Sequence, residues 1–215
     1  MAEPGATALS ATGAAVTVAG LAVLGVVAGS RWQADATRRE RAAGLEAAIA
    51  AAPAVRPAPD YSWERFAPPL VASGEAVVRL QVPAVGLDTV VVEGVGDDEL
   101  DVAAGHDPRT VYPGVADNSV VSGHRDRQFA ALAGIEPGDE VVTVAPYGTW
   151  RWTVTGTRIV GKDDPSIIGP SRPSARLTLT TCYPFDWWGR APDRFVVTAE
   201  LAPGQLPYGG EAGGP

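Results

Sequence analysis

The sequence predicts a mostly β domain, either a closed barrel or a sandwich, and three observations support this fold class. Seven short runs rich in β-branched residues recur between residues 76 and 201, separated by turn residues. The helical stretches in the same region, residues 97–102 and 127–132, are short. The chain contains 25 Gly and 19 Pro, which favours turns over long helices.

Residues 1–30 are predicted to be a membrane anchor. No charge occurs between Glu3 and Arg31, and residues 8–30 would reach about 35 Å as a helix, enough to cross a hydrocarbon core of about 30 Å. A cleaved signal peptide and a buried helix are the alternatives; no basic residue precedes the apolar stretch, which argues against the signal peptide. Arginines follow the span, so the positive-inside rule favours a cytoplasmic C-terminal side.

Two further segments flank the predicted domain. Residues 31–75 are predicted to form a stalk, which begins as an Ala-rich charged helix over 37–52 and continues as an extended Pro-rich stretch. Residues 203–215 are rich in Gly and Pro and are predicted to be disordered. The folded domain therefore extends over residues 76–202, which suffices for one hydrophobic core.

The seven β-branched runs are predicted to be strands. Trp150, Trp152 and Val154 alternate with polar residues, as in a half-buried strand. The Pro-Tyr-Gly sequence at 146–148 predicts a hairpin before this strand. The predicted strands cover residues 76–82, 88–92, 118–122, 140–145, 149–160, 175–181 and 194–201.

Charge and cysteine content exclude several functions. The formal net charge is −8, so a nucleic-acid partner held by phosphate contacts is not expected. Cys182 is the single cysteine, which excludes an internal disulfide and a zinc site with more than one thiolate ligand. The acidic residues within 97–101 are not spaced like a calcium loop and suit the start of a helix.

Three residues near strand ends are candidates for a reactive site. Cys182 ends the run 175–181 on a Thr-lined face, and His124 follows another run, where an imidazole could serve a thiol as acid and base. Arg194 begins a strand, and its guanidinium could donate hydrogen bonds to an oxyanion. Taken singly, an inert thiol, a structural histidine and a surface arginine remain alternatives. The second histidine, His106, is predicted to shape the edge of the site or to cap a turn.

Three motifs, in this order, resemble those of sortases. The sequence SGHRD at 122–126 resembles the His motif, and TLTTCYPF at 178–185 resembles the TLxTC motif. The Arg motif corresponds to APDRFVV at 191–197, in which Arg194 directly precedes a strand and its rival Arg190 does not. The Cys-Tyr-Pro-Phe sequence followed by Gly-x-Ala-Pro-x-Arg is most similar to class D sortases, with class E as the alternative.

The resemblance implies an eight-stranded sortase-type β-barrel and a cysteine transpeptidase that needs no cofactor. Cys182 would attack the Thr carbonyl of an LPxT-like sorting signal and form a thioester. His124 would protonate the departing amine and deprotonate the incoming one, and Arg194 would hold the developing oxyanion.

The resemblance further implies substrate contacts, partners and location. Ile167, Ile168 and Thr181 would contact the sorting signal of a secreted protein, and an amine of a peptidoglycan precursor or a pilin would accept the acyl group. The N-terminal helix would cross the membrane lipid once, with the catalytic domain extracellular, contrary to the orientation that the charges favour. Two other functions fit the same residues: a thiol peptidase with water as acceptor, and a non-catalytic surface barrel that binds a partner.

Overall fold

Eight strands form one closed barrel in the computed structural model, which describes residues 6–51 and 71–208. The predicted mostly β fold is confirmed, as a barrel rather than a sandwich. The strands are β1 Ala76–Val82, β2 Leu87–Glu93, β3 Ala104–His106, β4 Asp117–Ser122, β5 Glu140–Ala145, β6 Gly148–Gly161, β7 Ala175–Tyr183 and β8 Asp193–Leu201. The helices are α1 Ala6–Ala51 and α2 Asp97–Val102, with 3₁₀ helices at Pro83–Val85, Ala130–Gly134 and Pro165–Ile167.

The strand order brings distant parts of the chain together. Around the barrel it is β1-β2-β3-β4-β7-β8-β6-β5, and β5 pairs with β1 to close the ring. The β2–β3 and β4–β7 pairs are parallel, and the other pairs are antiparallel. β7 therefore lies between β4 and β8, so the ends of these three strands can supply one site.

Alternate residues of each strand fill the barrel. Leu177 and Leu179 of β7 are buried inside it, together with Val121 of β4 and Val197 of β8. Trp152 is fully buried and donates a hydrogen bond from Nε1 to Thr143 Oγ1 (2.9 Å). Because side chains alternate across a strand, the other residues of β4, β7 and β8 form the outer face of the barrel wall.

Strand β3 was missed by the sequence prediction. It has three residues, Ala-Gly-His, none of them β-branched, and pairs with β2 on one side and β4 on the other. A Cβ on Gly105 would lie 2.1 Å from the carbonyl oxygen of Gly94, so the neighbouring backbone demands glycine here. Tertiary pairing, rather than local propensity, makes this segment a strand.

The helical stretch predicted at 127–132 is confirmed only in its last three residues. The chain forms turns after β4, closed by the His124 carbonyl, which accepts hydrogen bonds from the backbone N–H groups of Arg127 and Phe129 (3.2 and 3.0 Å). A short 3₁₀ helix follows at Ala130–Gly134. Phe129 is fully buried in the barrel core, which fixes the turn in place of a regular helix.

Helix α1 reaches the barrel at its C-terminal part, as the prediction of a helix over 37–52 partly anticipated. Leu45 is buried against Val90, Val92 and Ala103, and Arg38 Nε donates to the carbonyl oxygen of Val102 (2.8 Å). The Pro-rich part of the predicted stalk, residues 52–70, lies outside the described residues.

The predicted anchor coincides with the N-terminal half of α1, apart from residues 1–5, which lie outside the described residues. In the described part of the chain, no helix combines the length and the apolarity needed to cross a membrane.

The start of the predicted disordered tail packs on the barrel instead. Leu206 accepts a hydrogen bond at its carbonyl from Trp150 Nε1 (3.3 Å), and Tyr208 N–H donates to Gly114 (2.6 Å). Aromatic contacts between Tyr208, Tyr147 and Trp150 accompany these hydrogen bonds. Local composition could not show this docking, and residues 209–215 of the predicted tail lie outside the described residues.

Candidate active site

A cleft of about 620 Å³ lies on the outer face of the barrel wall, over β4, β7 and β8. The loop between β6 and β7, residues 162–174, forms one side of the cleft, and the start of α2 contributes to the lining. All six residues predicted for catalysis and substrate binding line it: His124, Ile167, Ile168, Thr181, Cys182 and Arg194.

The register of β7 and β8 places Cys182 directly beside Arg194. The two residues are paired in the antiparallel ladder, where opposite Cβ atoms are about 4.5–5.5 Å apart. Cys182 is a free, partly exposed thiol. Among the described residues Arg194 forms no salt bridge, and its Nη1 donates to the carbonyl of Asp193 (3.0 Å). The guanidinium is thus available to an anion that develops next to the thiol.

The parallel pairing of β4 with β7 brings His124 to the same end of the cleft. Ser122 is the register partner of Thr180, and beyond it Gly123 N–H donates to the Thr180 carbonyl (3.2 Å). Thr181 Oγ1 donates to the Gly123 carbonyl (2.7 Å), so β7 holds the loop that carries His124. A Cβ on Gly123 would lie 2.8 Å from the Phe129 ring, which explains the glycine before the histidine.

A carboxylate from α2 faces the imidazole. Asp101 Oδ1 lies 3.8 Å from His124 Nε2 and 3.0 Å from Arg127 Nη1. The His124 side chain is about one third exposed, at 35%. Both α2 and its acidic first turn were predicted from the sequence, whereas this contact with His124 was not.

The three residues predicted to contact the substrate have different surroundings in the cleft. Ile167 is buried against Val120 and Val196 in an apolar cluster separate from the barrel core, and Ile168 packs against that cluster. Thr181 is 2% exposed, and its hydroxyl is committed to the Gly123 carbonyl. Thr181 therefore positions the His124 loop, whereas the isoleucines present apolar surface.

His106 does not shape the edge of the site, the first of its two predicted roles, because its side chain lies in the barrel wall. Its Nε2 contacts the turn that follows β3, which agrees with the second role. It is 1% exposed, its Nδ1 lies 2.8 Å from Glu93 Oε2, and its Nε2 lies 2.9 Å from the Val111 carbonyl. The residue does not line the cleft. His124 is the only imidazole at the candidate site within the described residues.

Asn118, which the sequence analysis missed, holds the β6–β7 loop against the wall. Its Nδ2 donates to the carbonyls of Ile167 and Gly169 (both 2.9 Å), and its Oδ1 accepts from Thr178 Oγ1 (2.7 Å). The side chain is 3% exposed. Asparagine is disfavoured in strands by propensity, and this was the available signal.

Replacing Asn118 by Asp is expected to loosen the loop and weaken substrate binding. Both N–H donors are lost, so the carbonyls of Ile167 and Gly169 lose their partner, and the free energy of unfolding should fall by about 2 kcal/mol. KM for the peptide substrate should rise several-fold, because Ile167 is no longer held. Thr178→Val removes only the hydrogen bond to Asn118 Oδ1, so it should lower the free energy of unfolding without raising KM. An unchanged KM in Asn118→Asp would show that other contacts fix the loop.

A second loop, between β7 and β8, is hydrogen-bonded to the segment that carries His124. Arg125, which follows His124, donates from Nη2 to the carbonyls of Trp187 and Gly189 (2.6 and 3.1 Å). The His motif and the β7–β8 loop are therefore one hydrogen-bonded unit. Trp188 at the tip of this loop is 97% exposed.

Asp107 and Arg109 add a charged wall to the cleft. Burial opposes ionisation of Asp107, but hydrogen bonds from Arg109 Nε and Nη2 (2.9 and 2.6 Å) outweigh it, so the pKa of this carboxyl is lowered. The stabilisation by this pair is present above the unfolded-state pKa and is lost as the pH falls through the folded-state pKa.

The arrangement fits acyl transfer through a covalent intermediate. A thiol can serve as nucleophile, an imidazole can move protons and a guanidinium can stabilise an oxyanion, and the residues that carry these three groups line one cleft. The apolar cluster around Ile167 gives the same cleft a place for an apolar side chain.

Comparison with known proteins identifies a family and related folds. Residues 80–202, more than half of the chain, match the Sortase domain family. Sortase D of Bacillus subtilis (strain 168) is 37% identical over 125 residues, which cover 58% of this chain and 63% of that protein. The match therefore spans less than two thirds of that relative.

Two solved structures share the fold. A Sortase D5 transpeptidase of Clostridium perfringens has a TM-score of 0.63 at 21% identity, over 78% of this chain and 99% of that one. Sortase C of Clostridium perfringens, solved with the C-terminal cell wall sorting motif, has a TM-score of 0.57 at 21% identity, over 61% and 73% of the two chains. With its motifs, its barrel and the family match in agreement, the chain belongs to the sortase family.

Proposed function

We propose that the protein is a cysteine transpeptidase that cleaves an LPxT-like sorting signal at its Thr carbonyl and transfers the acyl group to an amine. One observation carries this proposal: Cys182, His124 and Arg194 line the same cleft, on three neighbouring segments of the barrel wall. The similarity to Sortase D supports the choice of reaction.

In the first half-reaction, the Cys182 thiolate attacks the Thr carbonyl carbon, and the carbonyl electron pair moves to oxygen. Arg194 donates hydrogen bonds to this oxyanion. The C–N bond then breaks, His124 gives a proton to the departing amine, and a thioester remains on Cys182.

In the second half-reaction, an acceptor amine attacks the thioester carbonyl and loses a proton to His124. The oxyanion forms again beside Arg194, and its collapse expels the Cys182 thiolate and leaves a new amide. The proton balance closes, because the proton that His124 takes from the acceptor amine replaces the one that it gave to the departing amine. We infer that the acceptor is an amine of a peptidoglycan precursor or of a pilin.

The cleft suits the acyl donor as well as the chemistry. An LPxT-like peptide carries an apolar side chain before the reacting Thr, and Val120, Ile167 and Ile168 line the cleft on the same face as Cys182 and offer it apolar surface. The sortase C structure contains a sorting motif, which supports a sorting-signal substrate for this fold.

The test is turnover of a fluorogenic LPxT-type peptide by the full chain, with and without a primary amine such as glycine amide. We expect the amide product to dominate when the amine is present. Hydrolysis alone at every amine concentration would instead indicate a thiol peptidase. Absence of any covalent acyl adduct would contradict the proposal and leave a binding barrel.

Arg194→Ala is expected to lower kcat/KM by about 100-fold, because an oxyanion donor is lost. Arg194→Lys should recover part of this loss, since the charge stays but the two-pronged donor does not. Arg190→Ala is the matched control, because Arg190 is exposed and does not line the cleft. Equal losses of kcat/KM in Arg190→Ala and Arg194→Ala would show that Arg194 does not stabilise the oxyanion specifically.

The proposal also places the catalytic domain outside the cell, because sorting signals are carried by secreted proteins. Protease added to intact cells should then degrade the barrel, and a fully protected barrel would contradict this location.

A further inference from the structure

The hydroxyl of Thr180 is buried without a partner at the floor of the cleft. Thr180 is 7% exposed and lines the cleft, and its Oγ1 has no hydrogen-bond partner among the described residues. Nearly all buried polar groups in folded proteins are paired, because desolvating one without compensation is unfavourable. Because Thr180 also lines the cleft, its unpaired hydroxyl points to a ligand group that completes it.

The neighbouring threonines of β7 are already engaged. Thr178 Oγ1 donates to Asn118 Oδ1 (2.7 Å), and Thr181 Oγ1 donates to the Gly123 carbonyl (2.7 Å). Both contacts hold loops in position. Of these three residues in the TLTTC motif, Thr180 alone has a side-chain oxygen with no partner within the described chain.

Thr180 lies between the Cys182 thiol and the part of the cleft that Ile167 and Ile168 line. It precedes Cys182 by two residues on the same strand face, about 7 Å along the strand. Its register partners are Ser122 and Val196, and Val196 belongs to the apolar cluster that contains Ile167. A peptide that follows β7 from the thiol towards this cluster would pass over Thr180.

We propose, on the basis of the proposed function, that the Thr180 hydroxyl binds a main-chain polar group of the acyl donor, on the N-terminal side of the reacting carbonyl. Residues on that side stay on the enzyme in the thioester, whereas the C-terminal part leaves and the acceptor takes its place. A hydroxyl can both donate and accept, so it can pair with a peptide C=O or N–H. Burial of that peptide group against the cleft floor requires such a partner.

The test compares three variants of the full chain. Thr180→Val keeps the shape and removes the hydroxyl, and Thr180→Ser keeps the hydroxyl. Ser119→Ala is the matched control, because Ser119 is also fully buried with an unpartnered hydroxyl but does not line the cleft.

Thr180→Val is expected to raise KM for the donor peptide about three- to tenfold, the value of one neutral hydrogen bond, with KM for the amine unchanged. Its Tm should equal or exceed that of the wild type, because an unpaired buried hydroxyl is removed. Thr180→Ser and Ser119→Ala should retain the wild-type KM. Loss of affinity with undiminished stability is a signature that a merely structural threonine would not give.

Binding of the LPxT peptide to Cys182→Ala, with and without Thr180→Val, tests the role of Thr180 independently of acyl transfer. A weaker Kd in the double variant supports the role of Thr180 even if transfer is never observed. Equal Kd values, a similar loss in Ser119→Ala, or a lower Tm in Thr180→Val would each overturn it. A lower Tm would mean that the hydroxyl already has a partner in the free protein.

Discussion

Cys182→Ala is expected to abolish acyl transfer and to lower turnover of the LPxT-type peptide by at least about 10³-fold, to the uncatalysed background. The covalent route requires a nucleophilic sulfur, and Cys182 is the only cysteine in the chain. No other thiol can substitute. Intact-protein mass spectrometry should show the acyl adduct on the wild type after mixing with peptide, and no adduct on the variant.

We expect Cys182→Ala to fold normally, so that its loss of activity reports on the chemistry and not on stability. Cys182 lies near the end of β7 and is partly exposed, so removal of its sulfur creates no core cavity. We expect a Tm within about 2 °C of the wild type, as for a surface change. Cys182→Ser is the stricter comparison, because it keeps an oxygen of similar size and should still lose nearly all activity. Substantial transfer by Cys182→Ala would contradict the thioester mechanism.

Most strands could be predicted because their residues carry a local signal. The alternation of Trp150, Trp152 and Val154 marks β6, and the parity of Leu177 and Leu179 places Cys182 on the opposite, cleft-lining face. β3 has no such signal, since its Ala-Gly-His sequence is a strand only because β2 and β4 pair with it. Elements that exist through their neighbours cannot be derived from their own composition.

The three candidate catalytic residues come together through the order of the strands, which their spacing in the sequence does not reveal. The eleven residues between Cys182 and Arg194 are compatible with a return beside the thiol, and the β7–β8 register confirms that placement. His124 was already a candidate from its place after a β run, and the motif resemblance then gave it the catalytic role over His106. The burial of His106 beside Glu93 depends on the β2–β3 pairing.

Supporting residues were the hardest to foresee. Asn118 contacts a loop and Thr180 lines the cleft, and the partners in such contacts cannot be identified from one sequence. Parity already placed Thr180 on the face of Cys182 and Thr181 on the opposite face. The expectation for Thr181 followed the family motif, and the structure shows its hydroxyl bound to the His124 loop.

His124→Ala is expected to lower kcat by about 10³-fold with an amide donor, because general acid–base catalysis contributes about 10²–10⁴-fold. Both half-reactions lose their proton carrier: the departing amine is not protonated, and the incoming amine is not deprotonated. The fold should remain, since the loop is held by the Gly123 backbone and by Thr181 rather than by the imidazole. His106→Gln is the contrasting variant, because loss of its buried contact with Glu93 should lower Tm, while the folded fraction keeps its chemistry.

The leaving group decides which role His124 has. An activated ester donor departs without protonation, so the acylation rate of His124→Ala should return to within about tenfold of the wild type with this donor. The amide donor should remain slow, and an added imidazole buffer should restore part of its rate. An equal loss with ester and amide donors would show that His124 shapes the cleft instead of carrying the proton. Selective rescue by the ester would place His124 in the proton transfer of the first half-reaction, with Cys182 and Arg194 intact beside it.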